Sequence, residues 1–181
     1  MPARFLLLLL TAFCAGACAA PASNERTAAP SDGAAPTPYT ADEIRRANAP
    51  GTIRVFRIEQ AGVPATIQTV HFTGDDGVRA TVETTLTDLQ GKSLSKPIVA
   101  EETWEALRLH ASFPTEATTS REATCEVGAG SFECTLYEVR ADDQVSKFYF
   151  ASNEAGPPVL LQVEVGGSLV MKMELMEVTR P

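Results

Sequence analysis

Residues 121–140 read REATCEVGAGSFECTLYEVR. Two runs of alternating apolar and polar residues, 121–127 and 132–140, flank Gly128-Ala129-Gly130-Ser131. Period-two alternation around a glycine-bearing turn is the pattern of a β-hairpin. With Ala129-Gly130 as a two-residue loop, Val127 faces Phe132, Cys125 faces Cys134 and Ala123 faces Leu136. All six then lie on one face, with Glu126 and Glu133 on the other. The cysteines fall at a non-hydrogen-bonded pair, whose Cα separation of about 4.5 Å is at the close end of what a disulfide accepts.

The same pattern repeats downstream. Residues 159–165 and 169–179 flank Gly166-Gly167-Ser168. A three-residue loop sets Val159, Leu161, Val163 and Val165 against Leu175, Met173, Met171 and Leu169, whereas a two-residue loop sets Leu161 against Lys172. Between the hairpins, 146–151 (SKFYFA) is one more strand. Its phenylalanines and tyrosine point to opposite sides, which suits a strand covered on both faces. Gly156-Pro157-Pro158 is a rigid connection.

Upstream, 52–60 (TIRVFRIEQ), 65–73 (ATIQTVHFT) and 78–87 (VRATVETTLT) read as strands, with a short one at 97–100. Val78, Ala80, Val82 and Leu86 share one parity and mark the inward face. Thr40-Ala41-Asp42-Glu43 is a capping box that opens a helix running to about Asn48. Residues 101–111 (EETWEALRLHA) predict a second helix, with Trp104 and Leu107 on one side and Glu101-Glu102 suited to its N-terminus. About eight strands at hairpin spacing, with no strand–helix–strand alternation, predict a mainly β (α+β) fold. The expected architecture is a curved antiparallel sheet or half-barrel with two short helices packed on one face.

The chain has 181 residues, 15 Lys+Arg against 23 Asp+Glu, and a formal charge of −8. Phosphate binding needs a basic stripe, and none is present, so nucleic acid is excluded as a partner. Residues 1–17 carry the layout of a secretory signal: Arg4, an apolar run over 5–13, then small residues. A helix of that run is about 14 Å long, too short to cross a bilayer. Ala15-Gly16-Ala17-Cys18 resembles the bacterial lipobox. That resemblance implies cleavage before Cys18, a diacylglycerol thioether on its sulfur and acylation of the new amine. Ordinary cleavage near Ala17, Ala20 or Ala22 is the alternative. Two or three acyl chains hold a protein on a bilayer, where one is marginal. Loss of 1–17 takes the formal charge to −9, so attraction to an anionic surface contributes nothing. Ala19, where an Asp implies inner-membrane retention in enteric bacteria, points to the outer membrane, facing the periplasm. Residues 18–39 are expected to be the lipidated cysteine and an Ala/Pro-rich linker, and 40–181 a single exported domain.

Cys14 leaves with the signal and Cys18 is taken by lipid, which leaves Cys125 and Cys134 in an oxidising compartment. A structural disulfide is expected. A redox pair shows C-x-x-C spacing, and zinc needs two further ligands. The remaining search for chemistry is negative. His71 lies in a strand and His110 late in a helix, neither in H-E-x-x-H. Ser93-Leu94-Ser95-Lys96 matches S-x-x-K without the S-D-N and K-T-G elements that accompany it. Asp75-Asp76-Gly77 lacks the further oxygens a calcium loop supplies. Met171, Met173 and Met176 are core by spacing. No catalytic set, metal site or cofactor is expected.

Gly130-Ser131-Phe132-Glu133-Cys134, Tyr137, Phe148-Tyr149-Phe150-Ala151, Gly156-Pro157-Pro158-Val159, Glu164 and Gly166 together resemble exported bacterial domains. Some of these are similar to the lipoprotein-carrier group (LolA/LolB-like). The resemblance spans roughly residues 120–175 and implies a half-barrel whose concave side is plugged by helices, with room for a hydrophobic ligand. It supplies no catalytic residue. The expected function is binding of an apolar ligand or an envelope protein by a membrane-anchored domain. A structural domain with a filled core comes next, and an envelope enzyme last.

Overall fold

A computed structural model describes residues 33–181. The signal, Cys18 and residues 19–32 lie outside the described residues. The elements are α1 (Ala41–Ala47), β1 (Ile53–Gln60), β2 (Val63–Asp75), β3 (Arg79–Asp88), β4 (Ile98–Thr103), α2 (Trp104–Leu109), a 3-10 turn (Thr115–Ala117), β5 (Thr118–Val127), β6 (Gly130–Ala141), β7 (Gln144–Ala151), β8 (Leu160–Val165) and β9 (Ser168–Thr179). The nine strands form one curved, open antiparallel sheet in the order β4-β3-β2-β1-β9-β8-β7-β6-β5. It consists of two meanders, β1–β4 and β5–β9, joined where the first strand pairs with the last.

Local chemistry explains the helix starts. At α1 the Thr40 side chain accepts from the Glu43 amide, and the Glu43 carboxylate accepts from the Thr40 amide. Two of the free N–H groups that every helix start leaves are thereby satisfied. At α2 the N-cap is Thr103, whose hydroxyl accepts from Ala106 N–H. The helix is shorter than the 101–111 expected. Glu101 and Glu102 instead belong to β4, where they pair with Thr81 and Ala80, so they do not sit on the helix dipole.

Both hairpins differ from expectation in their turns. In β5–β6 the loop is Gly128-Ala129, so Val127 pairs with Gly130, Cys125 with Phe132 and Ala123 with Cys134. The register is slipped by two residues from the predicted one. A slip of two keeps every side chain on its face, which is why the apolar pattern cannot detect it. In β8–β9 the turn holds two residues, Gly166-Gly167, and a bulge between Val163 and Glu164 restores the register. Leu161 then faces Met173, and Val163 faces Met171, as predicted.

Residues 33–39, assigned to the linker on composition, pack along the domain. Ala34 bridges to Pro114, Ala35 N–H donates to Phe113 O, and Thr115 N–H donates to Gly33 O. Tyr39 is buried and donates to Ala151 O at 2.6 Å. An Ala/Pro-rich composition hides these contacts, because they use backbone atoms and one tyrosine.

One sheet face carries the helices. Trp104 stacks on Phe72 of β2, and Phe56, Val70, Phe72 and Val82 are buried beneath. Further along the same face, Phe113 and Tyr39 cover Tyr137, Phe148 and Phe150. The opposite face is covered over β5–β9 alone. There Cys125, Cys134, Leu136, Ala151 and Leu160 are buried. The tip of the β5–β6 hairpin reaches β9, where Ala129 N–H donates to Leu175 O. Gly128 lies close against Met176: a Cβ there would come within 2.5 Å of Met176 Cε and the methionine would have to move.

Candidate functional site

The helix-bearing face is where the resemblance places a ligand, and in β5–β9 it is filled by rings. Phe113 lies 4.6 Å from Phe148, 5.7 Å from Tyr137 and 6.5 Å from Phe150, centroid to centroid. Tyr39 meets Phe150 edge-on at 6.0 Å. These are ordinary aromatic packing distances. Tyr137 donates to Pro36 O, so this cluster also fixes residues 33–39. Burial pushes the Tyr39 and Tyr137 phenols above their usual values.

A second feature is a polar cluster at the joint between the meanders. Arg54 of β1 is fully buried. Its Nε donates to Asn48 Oδ1 at 2.7 Å, and its Nη2 donates to Glu154 Oε1 at 2.6 Å and to Ala155 O at 3.1 Å. Glu154 Oε2 accepts from Arg180 Nη2 at 2.5 Å. One carboxylate in the β7–β8 connection therefore holds two arginines from β1 and the C-terminal residues. Burial lowers the Arg54 pKa, and the charge of Glu154 opposes that. Gly156 permits the approach, with positive φ and a Cβ position 3.2 Å from Arg54 Nη2. Nothing in the sequence pattern marked this pair, because its members are 100 residues apart.

A third feature is an open groove of about 360 Å³ at the tips of β1–β2 and β8–β9. Val63, Ala65, Leu169, Val170 and Met171 line it, with Glu59 and Lys172 at its margin. Val63 and Leu169 are exposed.

The residues singled out from sequence do not converge. Cys18 lies outside the described residues. Cys125 and Cys134 share the face opposite the helices, one diagonal step apart, with Sγ atoms 3.1 Å from each other and both thiols free. Burial raises the Cys125 thiol pKa. It pushes the Cys134 thiol up to about 12, with Cys125 adding to the effect. His71 is opposite Ile53 in the sheet. His110 caps α2, its Nε2 3.4 Å from Glu102 Oε2. Ser93 donates to Ser95 O within the β3–β4 connection. Asp75 accepts from Arg45, Gly77 and Trp104, so it ties the β2–β3 turn to both helices. Hydrogen bonds from Arg45 and Gly77 hold its pKa below the usual carboxylate value. Among the described residues no three His, Cys, Asp or Glu side chains are grouped to hold a metal. Met171 and Met173 share the helix-bearing face, whereas Met176 sits under Gly128.

Taken together, this is a curved antiparallel sheet with short helices on one face and a covered second core at one end. Solved structures of that shape include MucB. MucB in complex with MucA(peri) matches with a TM-score of 0.50 at 11% identity, over 77% of this chain and 53% of that one. MucB alone gives 0.51 at 12% identity, over 76% of this chain and 56% of that one. The MucA/MucB complex of Pseudomonas aeruginosa gives 0.50 at 12%, over 77% and 56%. At this identity the likeness is one of fold, and the chain matches just over half the length of those structures. No family profile matches the sequence, and no curated protein matches it.

Proposed function

We propose that this chain is an exported envelope protein, held at the outer membrane by acylated Cys18, whose β-rich domain binds another protein from the periplasmic side. The filled helix-bearing face carries this reading. Where a carrier of the LolA/LolB kind keeps space for an acyl chain, this chain places Phe113, Tyr39, Tyr137, Phe148 and Phe150 against one another. A face closed in this way leaves outer surfaces and sheet edges for recognition, and those suit a protein partner. That MucB has been solved with MucA bound supports the reading.

A second reading, an apolar small ligand, has one observation in its favour, the groove lined by Val63, Leu169 and Met171. Its volume is within the range of small-molecule sites, but those bury most of their ligand and this groove is open. Native mass spectrometry of the full exported chain, extracted from its own membranes, separates the two. A protein–protein complex of fixed stoichiometry, with acyl mass on Cys18, is the expected result. A chain without a protein partner and carrying a separate lipid of several hundred daltons overturns partner binding in favour of a carrier. A chain with no acyl mass overturns the anchor.

A further inference from the structure

The two outermost strands of the sheet are built differently. β5 (TTSREATCEV) is polar along most of its length, with Arg121 and Glu122 exposed. Its far end leads into the turn that bonds to β9. Charge and cover are the means by which sheet edges avoid pairing with foreign chains. The first half of β4 (IVAEET) has neither. Ile98-Val99-Ala100 carries no charge, no proline falls inside the strand, and its pairing with β3 runs without a register shift. Ile98 is 38% and Val99 61% exposed. Leu89 and Leu94, in the connection leading to β4, are exposed as well. Four of the seven large hydrophobic residues exposed among the described residues thus lie within 89–99. The second half of β4 is acidic. Glu101 is exposed, with Arg79 4.0 Å away. Glu102 is beside His110, and Glu83 is the β3 partner of Val99.

We propose that the free edge of β4 receives an extended segment of another protein, added as a tenth strand, with apolar side chains beside Ile98 and Val99 and lysine or arginine beside Glu101 and Glu102. The proposal rests on the partner-binding reading and names the partner's chemistry. Main-chain hydrogen bonds along the edge supply affinity, and alternate side chains supply selectivity. Charge decides between occupants. A second copy in two-fold antiparallel pairing lays its Glu101-Glu102 against Ile98-Val99, so within the strand it brings the acidic half no cation beyond the Arg79 and His110 already there. A bilayer meets the same carboxylates on a chain of formal charge −8. A segment that is apolar at one end and basic at the other complements both halves of the strand.

The test places a photo-cross-linking residue, in the full chain in its own cells, at Val99, at Val63 beside the groove, or at Glu122 on the opposite edge. The expected result is one discrete adduct from position 99, mapped to a partner segment that joins apolar residues to Lys or Arg. A synthetic peptide of that segment should bind the purified chain, at least tenfold more weakly after Val99→Lys and after Glu101→Lys. Both substituted positions are solvent-exposed, so loss of binding is not loss of fold. An adduct with a second copy, a mapped segment without basic residues, or peptide binding unchanged by both substitutions overturns the proposal. Adducts from position 63 or 122 alone overturn it while leaving partner binding standing. No protein adduct from any of the three positions overturns both.

Discussion

The two meanders use one sheet in opposite ways. Over β1–β4 the helix-bearing face is buried and the other face is half-exposed, populated by Ile67, Thr69, His71, Thr81 and Thr85. Over β6–β8 both faces hold buried residues: Tyr137 and Phe148 beneath Phe113, Leu136 and Cys134 beneath the β5–β6 tip. Neighbouring residues Leu136 and Tyr137 are 1% and 5% exposed, which a one-sided sheet does not allow. The difference teaches where rigidity and availability lie. The C-terminal meander holds two cores. The N-terminal meander keeps an open face and an apolar edge.

The joint between the meanders is the place to break this arrangement. Glu154→Gln leaves Arg54 charged and buried without its counter-ion, and should cost about 3–5 kcal/mol. Urea unfolding should show both meanders losing stability together. Replacing the pair at once, Arg54→Met with Glu154→Leu, should recover most of the loss. A double variant as unstable as the single one would mean that Asn48 and Arg180 carry the joint instead.

Within the sheet, Leu136→Ala should cost about 3 kcal/mol, because a buried leucine leaves a cavity. On the same face of the other meander, Thr69→Ala should change stability by less than about 0.5 kcal/mol. Equal effects of the two substitutions would erase the distinction between a two-cored and a one-cored region.

The thiols sharpen the comparison further. Closing a ten-residue loop by joining Cys125 to Cys134 stabilises by about 2.7 kcal/mol in the loop-entropy model. Thermal unfolding of oxidised against reduced protein measures it, and peptide mapping of exported material shows which form the cell makes. In the reduced form the Cys134 pKa, raised to about 12 by burial, has a defined pH signature. The folded state binds the proton more tightly than the unfolded chain. That stability is fully present below the unfolded thiol pKa of about 8.5 and is lost as pH rises through the folded value. Iodoacetamide at pH 8 should accordingly label these thiols slowly in native protein and quickly in urea. Equal rates would mean that the second core is open.

In residues 33–39 a single hydrogen bond is at stake. Tyr39→Phe removes the hydrogen bond to Ala151 O but keeps the ring against Phe150. It should cost about 1–3 kcal/mol as a change in unfolding midpoint, toward the lower end if water reaches the carbonyl.

What the sequence disclosed and what it withheld divide along physical lines. The Thr40–Glu43 capping box and the Leu161–Met173 pairing are written in adjacent residues and side-chain parity, and both are legible. The turn at Gly128-Ala129 is not, since registers two residues apart place Cys125 and Cys134 on the same face. The start of α2 is ambiguous in sequence because Glu101 and Glu102 suit a helix N-terminus as well as a strand, and pairing with β3 decides. Among the candidate features, the buried Arg54–Glu154 pair is invisible to any local pattern. The apolar edge at Ile98-Val99 could have been read from IVA without an intervening charge, once that strand was known to be outermost.

The pairing of β1 with β9 also sets a timetable. Every other strand pairing among the described residues joins sequence neighbours, so each meander can form its own ladders as soon as its residues are available. β1 waits for residues 171–179 before it gains its second neighbour, and Glu154 cannot hold Arg54 and Arg180 together until Arg180 arrives. Contacts this distant in sequence form late and slowly. For the exported chain proposed above, crossing a membrane N-terminus first, folding would stay unfinished while any of β9 remained behind. The long-range seam makes the docking of β9 on β1 the closing step of the fold.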